Sequence, residues 1–207
     1  PVPQSLFNIT RMEVWITNDK QDFQNTRDVV PITELAEPDS VSAAWKLLNP
    51  PGRDINGKGL PANQNNGLYK EILSELNSDS TLRFSDRVVS RLSGSPFNLR
   101  QIRDFEKMNA RLLSPQEFSY HDQLGFISIN LNVQPDQVVG VALSYTYNGE
   151  PYKIGEFSDE VPKKSSEDTL KTNVLFLKML KSTTANVKYP IWDLMMKNVY
   201  AVGTANV

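Results

Sequence analysis

The stretch VALSYTYNGEPYKIGEF, residues 141–157, constrains the fold of this chain more than any other. Its Asn148-Gly149 pair accepts positive φ cheaply and stands between alternating β-branched and aromatic residues, the strongest short-range signal for a β-hairpin. Strand periodicity puts Val141, Leu143, Tyr145 and Tyr147 on one face and Ala142, Ser144 and Thr146 on the other. Pro151 has no N–H to give to a ladder, so the returning arm belongs at a sheet edge. A chain built round this hairpin needs a sheet.

Further strands follow from the same period. Met12, Val14 and Ile16 alternate with Arg11, Glu13 and Thr17 in FNITRMEVWITN, and a second extended segment spans 27–35, bent at Pro31. Phe105, Met108, Ala110 and Leu112 lead into a second hairpin, whose arms 117–120 and 126–131 flank the turn HDQLG. The run 174–180 is too uniformly apolar for its period to separate helix from strand; we read it as a buried strand. Helices are expected at 40–48 (capped by Asp39 or Ser40), at 85–92, and at 68–77 with Leu68, Ile72, Leu73 and Leu76 along one stripe. Pro190 suits the first turn of a short helix over 191–199, and 158–168 reads as a charged linker. The expectation is a single domain over 1–207 of the α+β class, mainly antiparallel β. It takes the form of a β-sandwich with a few short helices at one end or face.

Composition narrows the function classes. With 207 residues the core needs no staples, and a net charge of −2 with acids and bases mixed leaves no electrostatic footprint for nucleic acid. No apolar run approaches the roughly 18 residues of a membrane span. A mean hydropathy of −0.41 describes a soluble globular protein. No cysteine is present, which removes disulfides, thiolate metal sites and cysteine nucleophiles. Residues 1–30 show no signal-peptide pattern, and the chain reads as a piece cut from something longer.

Catalytic and metal motifs fail one by one. His121 is the only histidine and lies in the HDQLG turn without a nucleophile motif such as G-x-S-x-G, so neither a serine triad nor zinc is expected. Asp54-Ile-Asn56-Gly-Lys58-Gly59 starts like a calcium loop, but Lys58 takes its fifth position and Asn65 its twelfth. Gly57-Lys58-Gly59 has no following Ser or Thr and no preceding strand, so it is no phosphate loop. We therefore expect no enzymatic activity, no metal and no cofactor. Trp15, Trp45 and Trp192 each fall in an expected element where core packing is the default. Exposed tryptophans would instead point to a carbohydrate-binding β-sandwich module of a surface protein, and clustered acids in a cleft to a hydrolase. The loop 49–67, rich in Pro, Gly and Asn, has little to bury. Its Pro50, Gly52, Arg53, Asp54, Asn56, Lys58 and Asn63 are candidate contact residues. Three triplets, Asp39-Ser40-Val41, Asp79-Ser80-Thr81 and Asp168-Thr169-Leu170, suit caps or turns.

A series of segments carries a resemblance: ITRMEVWITN with NTRDVV, then ARLLSPQEFSYHDQLGFISINL, YTYNGEPYKIGEF, LFLKMLKS and YPIWDLMMKNVYAVG. In this order, over residues 9–203, it resembles the SprA/Sov family of Bacteroidetes. That family forms the outer-membrane translocon of the type IX secretion system, tied also to gliding motility. The 49–66 loop and the 74–95 region have no counterpart in the resemblance, and the acidic run after NTRDVV is weak here, as PITELAEP. The resemblance implies a non-catalytic domain of a very large protein-secretion translocon, at the extracellular (cell-surface) or periplasmic face. Its partners would be other parts of the same chain, other secretion subunits or secreted proteins. On that reading the 49–66 loop is a solvent-exposed excursion that becomes ordered against a partner, and Ser40, Ser80 and Thr169 are candidate O-glycosylation sites.

Overall fold

The structure is a computed structural model that describes residues 7–19, 24–36, 61–63, 65–121, 125–147, 149–166 and 168–196. Eight strands carry it: β1 (Phe7–Thr17), β2 (Thr26–Ile32), β3 (Met108–Leu112), β4 (Phe118–His121), β5 (Phe126–Ile129), β6 (Val139–Tyr147), β7 (Glu150–Ile154) and β8 (Leu175–Lys181). Helices α1 (Gly67–Ser78) and α2 (Val88–Ser93) lie between β2 and β3, with short 3-10 turns at Ser80–Arg83 and Pro190–Leu194.

The hairpin forms as its turn chemistry demands. Tyr147 pairs with Glu150, Gly149 takes φ +86°, and Pro151 lies opposite Thr146 on β7, the outermost strand of its sheet. The apolar run at 174–180 is β8, buried on both faces through Met179. It lies parallel to β2, from Val29 opposite Leu175 to Ile32 opposite Lys178, the one parallel pairing in an otherwise antiparallel set of ladders among the described residues.

The class is α+β and mainly β, as the patterns imply, but the large sheet rolls up. Its order is β1-β3-β2-β8-β6-β7, and β1 also pairs with β6, so five strands close a ring with β7 attached outside it. Length makes the closure possible. The eleven residues of β1 run along β6 from Phe7 to Ile16 and still leave Trp15–Thr17 to pair with β3. β6 divides its other edge, giving Val139–Val141 to β8 and Leu143–Tyr147 to β7. Among the described residues, sheet-on-sheet packing is confined to the two-stranded β4–β5 sheet. Phe118, Ile127 and Ile129 from that sheet pack on Val14, Ile16, Val139 and Val141 of the ring's outer face.

The pleat sorts the rest. All five ring strands contribute to one cluster, Trp15, Val29, Ala110, Ala142 and Leu175 with Leu177 and Met179, which fills the interior as in other small barrels. Val30, Ile32, Val174 and Phe176, one residue out of phase, face outward and meet Leu68 and Ile72 of α1 and Val88 and Leu92 of α2. Gly140 fits a tight place inside, where a Cβ would meet side-chain atoms of Leu177 and Pro31 at 3.1 Å. Trp15 is 2% exposed, so packing is its role. Trp192 is half-buried; Trp45 and the expected helix at 40–48 lie outside the described residues.

Segment 156–161 closes one mouth of the ring. Phe157 enters the interior cluster. Arg27 donates to the carbonyls of Ser158 (3.2 Å), Val161 (2.9 Å) and Asn173 (3.1 Å), while the Glu13 carboxylate accepts from Ser158 N (3.0 Å) and Oγ (2.9 Å). Arg11 pairs with Asp159 and Lys153 with Glu160. The described residues of 158–168 follow β7 and begin with the plug. Beyond the plug the chain forms an arch, bridged at Lys164–Thr172, whose tip exposes 90% of Leu170.

Candidate contact surface

β2 runs straight into a polar knot. Thr33 and Glu34 follow it and are buried, at 0% and 1% exposure. The Thr33 N–H donates to Asp104 O (2.9 Å) and its hydroxyl to Arg103 O (3.0 Å). The Asp104 carboxylate accepts two bonds from the Arg103 guanidinium, at 2.8 and 2.7 Å, and a third from Arg100 N at 2.8 Å. Those bonds also raise the Arg103 pKa, against the opposing effect of burial. They hold a turn in which Ile102, a β-branched residue, adopts φ +71° with 40% of its surface exposed.

Lys178 completes the knot. It stands in β8 opposite Ile32, and its Nζ donates to Thr33 O and to Asn63 Oδ1 (3.2 Å). Asn63 in turn donates from Nδ2 to Pro190 O, and the Glu34 carboxylate accepts from Ala62 N (3.3 Å) and Leu68 N (3.4 Å). One ammonium thus ties together the end of β2, the chain entering α1 and the segment after β8. Burial disfavours its charged form and lowers its pKa to about 7, with the charge of Glu34 working in the opposite direction.

Above Asn63 the surface opens into a shallow depression of about 340 Å³, lined by Ala62, Asn63, Val187, Lys188, Tyr189, Pro190 and Asp193. Val187 is 68% exposed, and Leu194 and Met196 of the same segment are 37% and 66% exposed.

Of the candidate contact residues, Asn63 belongs to this surface; Pro50, Gly52, Arg53, Asp54, Asn56 and Lys58 lie outside the described residues, as does Ser40. The expectation of a solvent-exposed excursion is corrected at the loop's return. Pro61 and Ala62 are buried, and Asn63 is stitched to two other segments, because backbone groups entering α1 need the partners that Glu34 supplies. Ser80 and Thr169 are both exposed, each beside an aspartate that closes a local turn. Asp79 accepts from Thr81 N (3.0 Å) and Oγ1 (2.6 Å), and Asp168 accepts from Leu170 N (3.0 Å). His121 is the last residue of β4 rather than a turn residue, stacked on Phe126 at 5.5 Å. Glu106 is a carboxyl raised by burial, held by Thr183 N (2.8 Å) and hydroxyl, and it does not line the depression.

Sequence reasoning missed Lys178 and Glu34. The signal was a lysine within an otherwise apolar buried strand, VLFLKML, which calls for a partner at the strand's end. Among the described residues there is no group of three or more His, Asp or Glu side chains placed to hold a metal, and no helix long and apolar enough to cross a membrane. No known family model matches the chain, and no curated protein matches it.

Proposed function

We propose that this chain is a non-catalytic domain that works by protein–protein contact, within an outer-membrane translocon of the type IX secretion kind that its motif series resembles. The observation that carries the contact reading is the set of exposed apolar side chains on the segment after β8, Val187, Leu194 and Met196, of which Val187 lines the depression together with Asn63. Apolar side chains on a segment that is itself pinned at Pro190 form a preorganised surface, so little ordering entropy is lost when a partner covers them. The partner is another part of the same large chain, another secretion subunit or a passing secreted protein. The sandwich-type sugar platform loses its support at Trp15, which is packed inside the ring.

A photo-crosslinker at the exposed Lys188 of the full-length protein in outer membranes tests this reading. It is expected to trap a protein partner, and Val187→Asp combined with Met196→Asp is expected to abolish both the adduct and secretion. An unchanged adduct and normal secretion in the double variant would overturn it.

A further inference from the structure

Lys181, the last residue of β8, is surrounded in an unusual way. Its Nζ lies 2.6 Å from Gln137 O, 2.7 Å from Pro135 O, 3.2 Å from Gln134 O and 3.3 Å from Ser182 O. Three of these carbonyls come from one exposed turn between β5 and β6. The turn is closed without the lysine: Gln137 N donates to Gln134 O (3.2 Å), and Gln134 N donates to Gln137 Oε1 (2.9 Å). Gln137 is buried and anchored to β1 through Thr17 O (3.5 Å), so the carbonyls converge because of the turn's own geometry. Glu106 and Asp136 add a negative field at the same place.

An ammonium has three hydrogens to donate. Four carbonyls therefore converge on three donors, so at least one hydrogen is shared between two oxygens. A spherical cation has no such limit, and a ring of backbone carbonyls is what replaces the hydration shell of a monovalent ion. We propose that the Gln134–Gln137 turn and Ser182 form a monovalent-cation site whose resident occupant is the tethered ammonium of Lys181, and which binds free ammonium or potassium once that side chain is shortened. The cation then adds to the turn's own hydrogen bonds at its tip, where Gln134, Pro135 and Asp136 are exposed.

Thermal unfolding of Lys181→Ala, Lys181→Met and the unaltered chain tests this, in chloride salts of ammonium, methylammonium, potassium and tetramethylammonium at equal ionic strength. Both variants are expected to lose on the order of 5 °C. In Lys181→Ala, ammonium and potassium restore part of the loss with saturation, while tetramethylammonium, too large for the cage, restores none. Lys181→Met, which keeps the space filled, is expected to show no rescue, and the unaltered chain no difference between salts. Should Lys181→Ala fail to fold in tetramethylammonium chloride, recovery in ammonium chloride supports the site. Equal failure in both salts overturns it, as does a Lys181→Ala response no different from that of the unaltered chain.

Discussion

Two regions of this molecule bury charge, and they do it differently. At the plugged mouth, Arg83 meets Glu156 through two short bonds, 2.7 and 2.8 Å, and Glu156 also accepts from Phe176 N at 2.9 Å. Burial alone would lower the Arg83 pKa, but the bonds to Glu156 outweigh it and the net shift is upward. Tyr69, desolvated beside the same carboxylate, is pushed up as well. At the contact surface, Lys178 meets a carbonyl and an amide oxygen, and burial wins: its pKa falls to about 7. A guanidinium with a bidentate carboxylate partner is a permanent fastener, whereas a lysine held by neutral oxygens is a titratable one.

The largest expected effect breaks the permanent fastener. Glu156→Ala leaves the Arg83 guanidinium part-buried without its carboxylate and is expected to cost about 3–5 kcal/mol, read as a lower urea midpoint at unchanged slope. A loss under 1 kcal/mol would show that the two regions do not differ as described.

The titratable fastener is tested by pH. Because the folded-state pKa of Lys178 lies below the ordinary lysine value of 10.5, the folded chain binds fewer protons than the unfolded chain between about pH 7 and 10.5. The contribution of Lys178 to stability therefore rises with pH across that window, by at most a factor of about ten in the unfolding constant per pH unit, and is flat below it. Lys178→Met is expected to remove that component of the slope. A full curve matching the unaltered chain from pH 7 to 10 would contradict the assignment.

A smaller effect separates the floor of the depression from the global fold. Asn63→Ala removes the acceptor for Lys178 and the donor for Pro190. It is expected to cost about 1–2 kcal/mol and to speed amide exchange at residues 61–66 before the strands. Uniform acceleration across the β-ring would show that the knot is part of the global core instead. The smallest effect is at the arch beyond the plug. Leu170→Ser is expected to change stability by no more than about 0.5 kcal/mol by thermal denaturation, since the arch is tethered at its base and not by its 90% exposed tip.

What the sequence determined by itself is local. Asn148-Gly149 requires a hairpin because few other pairs accept the turn's backbone so cheaply, and Pro151 requires an edge because it lacks a donor. Leu68, Ile72, Leu73 and Leu76 require a helix with one apolar stripe because of its 3.6-residue period, and that helix is present as Gly67–Ser78, with Leu68 and Ile72 buried, Leu76 partly buried and Leu73 left 37% exposed. Of the candidate surface, the sequence offered Asn63 by the character of its loop. Only the tertiary structure decided the rest, because partner choice is non-local. An alternating strand shows two faces, but not whether the second meets another sheet or the lumen of a ring, and closure depends on β1 pairing with β6 some 130 residues away. Likewise the parallel contact of β2 with β8 places Lys178 beside Thr33, 145 residues apart in sequence, and no local pattern encodes that meeting. A lysine's neighbours set its proton affinity, so the titratable character of Lys178 exists only once the chain has closed around it.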